Sequence, residues 1–208
     1  MLNSLPNILT LSRIVLIPLM IGAFYLGSPL GNWVAFSIYT AACVTDYFDG
    51  WLARTWNQQS ALGRFLDPIA DKLLIASVIV MLVAFKRIDD HNVLAAVVIL
   101  CREMLVSGLR EFLAEVRVSV PVSSLAKWKT TVQMLALGFL LVGDASPEAI
   151  PSIEIGTVGL WLAALLTLVT GFDYLRAGLR HMQPNAIPQK DGGQKVADSG
   201  MGAAAPGQ

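Results

Sequence analysis

The residues from Ile14 to Thr45 form an uncharged run of 32 positions, which restricts the folds open to this chain. A single helix of that length would measure about 48 Å at a rise of ~1.5 Å per residue, whereas the hydrocarbon core of a bilayer is about 30 Å thick. The segment Gly27–Asn32, near the middle of the run, combines glycine, serine and proline and favours a turn. We therefore predict that the run divides into two membrane-spanning helices.

Apolar segments continue along the chain, which is 55% hydrophobic and only 14% charged, against about 25% charged in a typical soluble domain. They are helix-length and lack the alternating pattern of a membrane-spanning barrel. The predicted fold class is therefore all-α: a polytopic bundle of six transmembrane helices, near residues 8–27, 33–54, 66–85, 92–115, 125–143 and 154–180. Cys43 and Cys101 fall inside these segments, where we expect two buried thiols that act as small hydrophobic side chains.

The basic residues are sorted along the chain, and their positions predict its orientation in the membrane. Lys and Arg total 15, as do Asp and Glu, so the basic excess typical of nucleic-acid-binding proteins is missing and no nucleic-acid partner is expected. Most bases fall in connections that would share one side: Arg54, Arg64, Arg110, Arg117, Lys127, Arg176, Arg180, Lys190 and Lys195. Basic residues concentrate on the cytoplasmic side of membrane proteins, so both termini are predicted to be cytosolic.

The composition changes after about residue 182. Residues 183–208 are rich in Pro, Gly, Ala and Gln, and such a segment buries too little apolar surface to fold. We expect one membrane domain over residues 1–182 and a disordered cytosolic tail over 183–208.

Four aspartates lie at or inside the cytosolic ends of the second and third predicted helices, and they indicate a metal site. Asp46 and Asp49 are three residues apart and Asp67 and Asp71 four apart, so each pair shares a helix face. The short connection predicts that the two helices are antiparallel neighbours whose acidic pairs face each other. Four converging carboxylates need a cation, and hard oxygen ligands favour Mg²⁺, Mn²⁺ or Ca²⁺ over zinc.

Small residues accompany these acids. Gly50 and Ala53 leave the helix face beside Asp49 without bulk, and Gly63 does the same one turn before Asp67, so a ligand can approach closely. Arg54 suits either a phosphate contact or an interfacial helix anchor.

Taken together, the residues from Asp46 to Asp71 match the pattern D-x2-D-G-x2-A-R-x8-G-x3-D-x3-D at all eight fixed positions. This is the signature of the CDP-alcohol phosphatidyltransferases, so the chain resembles that family up to about residue 182. Members transfer a phosphatidyl group from a CDP-linked lipid to an alcohol and release CMP. The resemblance implies six spans, a site on the cytosolic side, a divalent metal (Mg²⁺ or Mn²⁺), and a homodimer.

The resemblance also implies roles for individual residues. Asp46, Asp49 and Asp67 would hold the metals, and Asp71 would either ligate the second metal or act as the general base. The residues expected to surround the CDP moiety are Asp46, Gly50, Ala53, Arg54, Gly63 and Asp67.

The identity of the accepting alcohol depends on a second group of residues. Arg110, Lys127 and Lys129 would lie near the cytosolic ends of the fourth and fifth helices, where they follow the positive-inside rule or bind an anionic acceptor. Their local sequences, 107–111 and 126–131, together with residues 6–13, resemble bacterial family members that use sn-glycerol 3-phosphate. This resemblance implies a location in the bacterial cytoplasmic membrane. The alternatives within the family are cardiolipin, phosphatidylserine and phosphatidylinositol-type synthases.

Three further interpretations stay open in the sequence. Asn7, Thr10 and Arg13 recur on one face of the first helix, where they suit contacts with the donor's phosphates, a helix cap or an interfacial anchor. A divalent-cation transporter would also place acids in a helical bundle, although such sites usually lie nearer the membrane midplane on interrupted helices. Arg102 and Glu103 suit a structural ion pair within the bundle.

Overall fold

The computed structural model describes residues 5–56, 61–115 and 124–181, and in these ranges the chain forms six long helices and no strand. This confirms the all-α prediction. The helices are α1 (Leu5–Ala23), α2 (Leu30–Trp56), α3 (Ala61–Ala84), α4 (Asn92–Glu115), α5 (Ser124–Val142) and α6 (Ser152–His181). The predicted tail, from 183 onward, lies outside the described residues.

The first turn is tighter than the sequence suggests. Gly27 has a positive φ of 79°, and the turn is complete by Pro29, so Gly31 and Asn32 already belong to α2. A Cβ at Gly31 would lie 2.5 Å from the Ala23 carbonyl oxygen, so only glycine allows this approach of α2 to the end of α1.

The third helix begins at Ala61, five residues before the predicted start. The prediction began the helix after Arg64, whereas the helix continues back through Arg64 to Ala61. Gly63 and Asp67 therefore both lie on α3, and Pro68 is accommodated within it.

The packing order differs from the expectation that α2 and α3 are direct neighbours. Helix α1 packs against both, while α2 and α3 share little contact within the described ranges. On the other side, α6 packs closely against α5 and α4, and α2 also contacts α5. A Cβ at Gly159 would lie 2.9 Å from the Ala136 Cβ, which shows how closely α5 and α6 approach through small residues.

The outer surface of the bundle is strongly apolar. Asn92–Ala114 and Ser152–Arg176 are long and apolar enough to cross a membrane, and side chains such as Leu165, Leu168 and Phe172 are exposed on α6. Together these features indicate a membrane-associated protein. The expectation of two buried thiols was wrong for Cys101, which is exposed on this apolar surface, whereas Cys43 is half-buried.

A network of polar side chains connects the helices at the end of the bundle away from the four aspartates. Arg87, in the α3–α4 connection, donates to the carbonyl oxygens of Leu141 (2.5 Å) and Leu140 (3.4 Å) at the end of α5, and to Asn32 Oδ1. Asn32 Nδ2 donates in turn to the Val142 carbonyl oxygen at 3.0 Å and Asp144 Oδ1 at 2.8 Å. Burial lowers the pKa of the Arg87 guanidinium, and the charge of Asp144 opposes that shift. The network ties α2, α5 and the α3–α4 connection together.

Candidate active site

A cleft of about 580 Å³ opens near the end of the bundle where α2 finishes and α3 and α5 begin. Its walls bring together five of the residues singled out in the sequence: Asp46 of α2, Asp71 of α3, Arg110 of α4, and Lys127 and Lys129 of α5. Two acidic and three basic residues of this set therefore line one cavity, and we call Arg110, Lys127 and Lys129 its basic wall.

Asp46 and Asp71 both lie close to the guanidinium group of Arg13. Arg13 Nη1, on α1, lies 2.7 Å from Asp46 Oδ1 and 4.0 Å from Asp71 Oδ1. The Arg13 side chain is fully buried, whereas the Asp46 and Asp71 side chains are 39% and 58% exposed. Helix α1 thus supplies a buried positive charge behind two carboxylates that remain open to the cleft, which reduces their mutual repulsion.

For the other motif residues, the structure describes only their positions along α2 and α3. Asp49, Gly50, Ala53 and Arg54 continue α2 beyond Asp46, and Gly63 and Asp67 precede Asp71 on α3. Their side chains lie outside the described part of the structure. Within the described part, no group of three or more metal-ligating side chains assembles.

The donor set nevertheless fits a hard divalent cation. Carboxylate oxygens are the ligands that Mg²⁺ and Mn²⁺ prefer, and Asp46 and Asp71 present theirs to an accessible cavity. One Arg13 guanidinium balances only one of these two charges.

The basic wall is organised by Glu103 of α4. Its Oε1 accepts a hydrogen bond from Lys129 Nζ, and it lies 3.3 Å from Arg102 Nη1. Arg102 Nη2 donates to Thr170 Oγ1 on α6 at 2.8 Å, and a Cβ at Gly171 would lie 3.0 Å from the Arg102 Cγ. The suspected Arg102–Glu103 ion pair therefore forms and belongs to a network that joins α4, α5 and α6.

The three predicted acceptor residues differ in exposure. Lys129 is only 4% exposed and is held by Glu103, whereas Arg110 and Lys127 are exposed at the mouth of the cleft. Glu103, Ser107 and Arg110 all line the cleft, since successive spacings of four and three residues put them on one face of α4.

The N-terminal residues have different surroundings. Thr10 is buried, Arg13 is buried against Asp46, and the side chain of Asn7 lies outside the described residues. Arg13 contacts the acidic side chains rather than lining the cavity.

Sequence reasoning missed several polar residues of the cleft, including Gln133 of α5 and Tyr174 of α6. A signal was present for Gln133, since it is a polar residue in an apolar helix, four positions after Lys129 and on the same face. Nothing in the sequence indicated that Tyr174, near the far end of α6, reaches the cleft.

A second cavity, of about 650 Å³, runs as an apolar groove along α2 and α5. Its lining includes Phe36, Thr40, Val44, Leu135 and Phe139, and it reaches Pro147 and Ile150 beyond the end of α5. Cys43 and Met134 line both this groove and the polar cleft, so the two cavities adjoin.

Comparison with known sequences identifies the family of this chain. The sequence profile described as CDP-alcohol phosphatidyltransferase matches residues 3–169. A protein of Rickettsia bellii is 48% identical over 175 residues, which covers 84% of this chain and 95% of that protein. A Shigella flexneri protein is 41% identical over 184 residues (84% and 94%), and a Cereibacter sphaeroides protein 36% over 215 residues (86% and 97%). All three are named CDP-diacylglycerol–glycerol-3-phosphate 3-phosphatidyltransferase. The chain belongs to the CDP-alcohol phosphatidyltransferase family.

Proposed function

We propose that this protein transfers the phosphatidyl group of CDP-diacylglycerol to sn-glycerol 3-phosphate and releases CMP, which gives phosphatidylglycerophosphate. The observation that supports this most directly is that one cleft combines Asp46 and Asp71 with Arg110, Lys127 and Lys129. Carboxylates suit a metal-bound pyrophosphate, and a basic wall suits a phosphomonoester acceptor. The names of the relatives describe the same reaction.

A divalent cation, Mg²⁺ or Mn²⁺, belongs to this proposal. Asp46, Asp49 and Asp67 are the residues that would hold it, while Asp71 would either ligate a second ion or act as the general base. When bound, such an ion neutralises charge on the pyrophosphate and makes the phosphorus more electrophilic. The CDP moiety would lie among Asp46, Gly50, Ala53, Arg54, Gly63 and Asp67, in line with the family motif.

The transfer itself is a displacement at phosphorus. An acceptor hydroxyl oxygen forms a bond to the phosphorus that bears the diacylglycerol, and the bond from that phosphorus to the bridging oxygen breaks. CMP leaves with the bridging oxygen. Asp71 is the proposed general base for the hydroxyl proton, because its carboxylate is exposed in the same cleft as the basic wall.

The basic wall would bind the acceptor's phosphate. The buried Lys129, held by Glu103, provides a fixed positive charge, while the exposed Arg110 and Lys127 attract the dianion at the mouth. A contact of Asn7, Thr10 and Arg13 with the donor's phosphates stays a prediction. The geometry supports a second role for Arg13, which orients the Asp46 carboxylate.

The apolar groove along α2 and α5 suits an acyl chain of the lipid donor. It adjoins the polar cleft at Cys43 and Met134, so a donor whose pyrophosphate lies beside Asp46 can extend a chain along Val44 and Thr40. Burial of apolar surface in such a groove contributes about 25 cal/mol per Å².

We further propose that all six helices cross the bacterial cytoplasmic membrane, with the cleft and both termini on the cytosolic side. The uncharged segments and the positions of the basic residues support this arrangement. A homodimer and a disordered tail over 183–208 are part of the same proposal and rest on the family resemblance and on composition respectively.

An acceptor panel tests the proposed function. Purified protein in mixed micelles receives CDP-diacylglycerol, Mn²⁺ or Mg²⁺, and one of five acceptors: glycerol 3-phosphate, serine, inositol, inositol phosphate or phosphatidylglycerol. We expect CMP release with glycerol 3-phosphate at least about tenfold above every other acceptor. Release with another acceptor and none with glycerol 3-phosphate would show that the proposed acceptor is wrong.

A further inference from the structure

One buried polar group in the cleft has no place in the chemistry described so far. Gln133 of α5 is 3% exposed and lines the same cavity as Asp71 and Lys129. Its Oε1 is buried, and no donor among the described residues lies within hydrogen-bond distance of it. A buried amide oxygen without a partner is costly, and a hydrogen bond from a ligand that enters the cleft would remove that cost.

The position of Gln133 indicates which part of a ligand it would meet. Lys129 lies one turn before it on the same face of α5, a rise of about 5.4–6 Å. This separation is comparable to the length of a three-carbon chain with a phosphate at one end. Gln133 and Asp71 each lie in the third turn of their helices, counted from the ends near the cleft opening. An acceptor whose phosphate contacts Lys129 can extend along α5 toward Gln133, within the cavity that Asp71 also lines.

We infer that Gln133 is a specificity-determining residue whose amide hydrogen-bonds the acceptor hydroxyl that does not react, next to the hydroxyl whose proton goes to Asp71. This inference rests on the proposed function, because it takes the acceptor to be a three-carbon phosphomonoester. The amide accepts a hydrogen bond through Oε1 and donates one through Nε2, so it can pair with a hydroxyl that acts either as donor or as acceptor. A site built to bond a substrate hydroxyl discriminates strongly against an analogue that lacks it.

The test compares two acceptors that differ only in that hydroxyl: sn-glycerol 3-phosphate and 3-hydroxypropyl phosphate, which lacks the hydroxyl on the middle carbon. The enzyme forms are wild type, Gln133→Met and Leu137→Met, all as full-length protein in micelles with CDP-diacylglycerol and Mn²⁺. Methionine keeps the length of the glutamine side chain without its amide. Leu137 is buried one turn further along α5 and does not line the cleft, so its variant controls for a methionine introduced into this helix.

We expect wild type and Leu137→Met to prefer glycerol 3-phosphate by at least about tenfold in kcat/KM, and Gln133→Met to use both acceptors within about twofold of each other. The KM for CDP-diacylglycerol should be the same in all three proteins, which separates acceptor recognition from a general defect of the site. An unchanged preference in Gln133→Met, or no preference in wild type, would overturn the inference. Absence of turnover with glycerol 3-phosphate in wild type, beside turnover with another acceptor from the panel, would instead show that the proposed function is wrong.

Discussion

Arg13 contributes from α1 to a site whose acidic residues lie on α2 and α3. Its guanidinium contacts Asp46 directly and lies within 4.0 Å of Asp71, so three helices meet at one buried charge. The planar fork of an arginine guanidinium fixes the position of a carboxylate. Asp71 is the more exposed of the two acids and the less closely held, which suits a base that must receive a proton.

Asp71→Asn therefore tests the role of that side chain. Asparagine keeps the shape and removes the basic oxygen, so we expect turnover to fall by at least about 10²-fold, the range typical for loss of a general base. Binding of CDP-diacylglycerol, measured by fluorescence with a labelled donor, should change less than about threefold. Asp90→Asn, in the exposed α3–α4 connection, is the matched control and should leave both quantities unchanged. Loss of donor binding in Asp71→Asn would identify Asp71 as a metal ligand instead of the base.

The spacing of residues in the sequence predicted the acidic residues of the site, but it did not predict the residues that pack around them. The pattern from Asp46 to Asp71 predicted an acidic site, and the structure places both of these side chains in one cleft. The contact between Arg13 and Asp46 was not predictable, because it depends on α1 packing between α2 and α3. The buried amide of Gln133 was also missed, since a single polar residue in an apolar helix has many possible surroundings.

At the scale of helices, the separation of α2 and α5 determines the apolar groove. Thr40 is exposed in that groove, and Thr40→Trp would fill part of it. We expect the KM for a donor with 18-carbon chains to rise at least about fivefold, with little change for a donor with four-carbon chains that does not need the groove. Val97→Trp adds the same side chain on the exposed face of α4, outside both cavities, and should have no effect. An equal effect on both donors would argue against an acyl chain in the groove.

The Arg87 network holds the opposite ends of these same helices. Asn32 lies fourteen residues before Asp46 on α2, which corresponds to about 21 Å along the helix axis, so this network is remote from the cleft. Removing the guanidinium would leave the Leu140 and Leu141 carbonyls and the Asn32 amide short of partners, at a cost of about 1–3 kcal/mol.

Arg87→Gln should therefore lower the apparent melting temperature in micelles by several degrees while the KM for glycerol 3-phosphate stays unchanged. Lys86→Gln removes the same charge from the adjacent exposed position and should leave the melting temperature unaltered. If both substitutions lowered the melting temperature equally, the stabilisation would come from the positive charge of the connection and not from the hydrogen bonds of Arg87.

At the scale of the whole molecule, charge and hydropathy predicted the number and approximate positions of the helices. Six helices were expected and six are present in the described ranges, because long apolar segments leave few alternatives. The helix ends moved by up to five residues, as at Ala61, where the helix continues back through Arg64. The order of packing was not predictable from spacing, because close approaches such as that of Gly159 to Ala136 depend on single small residues in two helices.

Labelling with a membrane-impermeant maleimide tests the proposed orientation. In a background without Cys43 and Cys101, single cysteines replace Gln59, in the predicted cytosolic connection, and Glu148, in the predicted outer connection. We expect Glu148→Cys to react in intact cells and Gln59→Cys to react only after the membrane is permeabilised, because basic connections stay in the cytosol. The reverse pattern would invert the orientation, and reaction of both in intact cells would contradict the three spans, an odd number, that the proposal puts between them.

The most direct test of phosphatidyl transfer in this cleft is the stoichiometry of the two products. CMP and phosphatidylglycerophosphate are quantified in the same reactions of purified protein with CDP-diacylglycerol, with acceptor omitted, with the divalent metal chelated, and with both present. We predict one CMP per phosphatidylglycerophosphate in the complete reaction, and neither product when glycerol 3-phosphate or the metal is missing. CMP release without an acceptor, or lipid product formed at an equal rate in the presence of chelator, would contradict metal-dependent transfer to glycerol 3-phosphate.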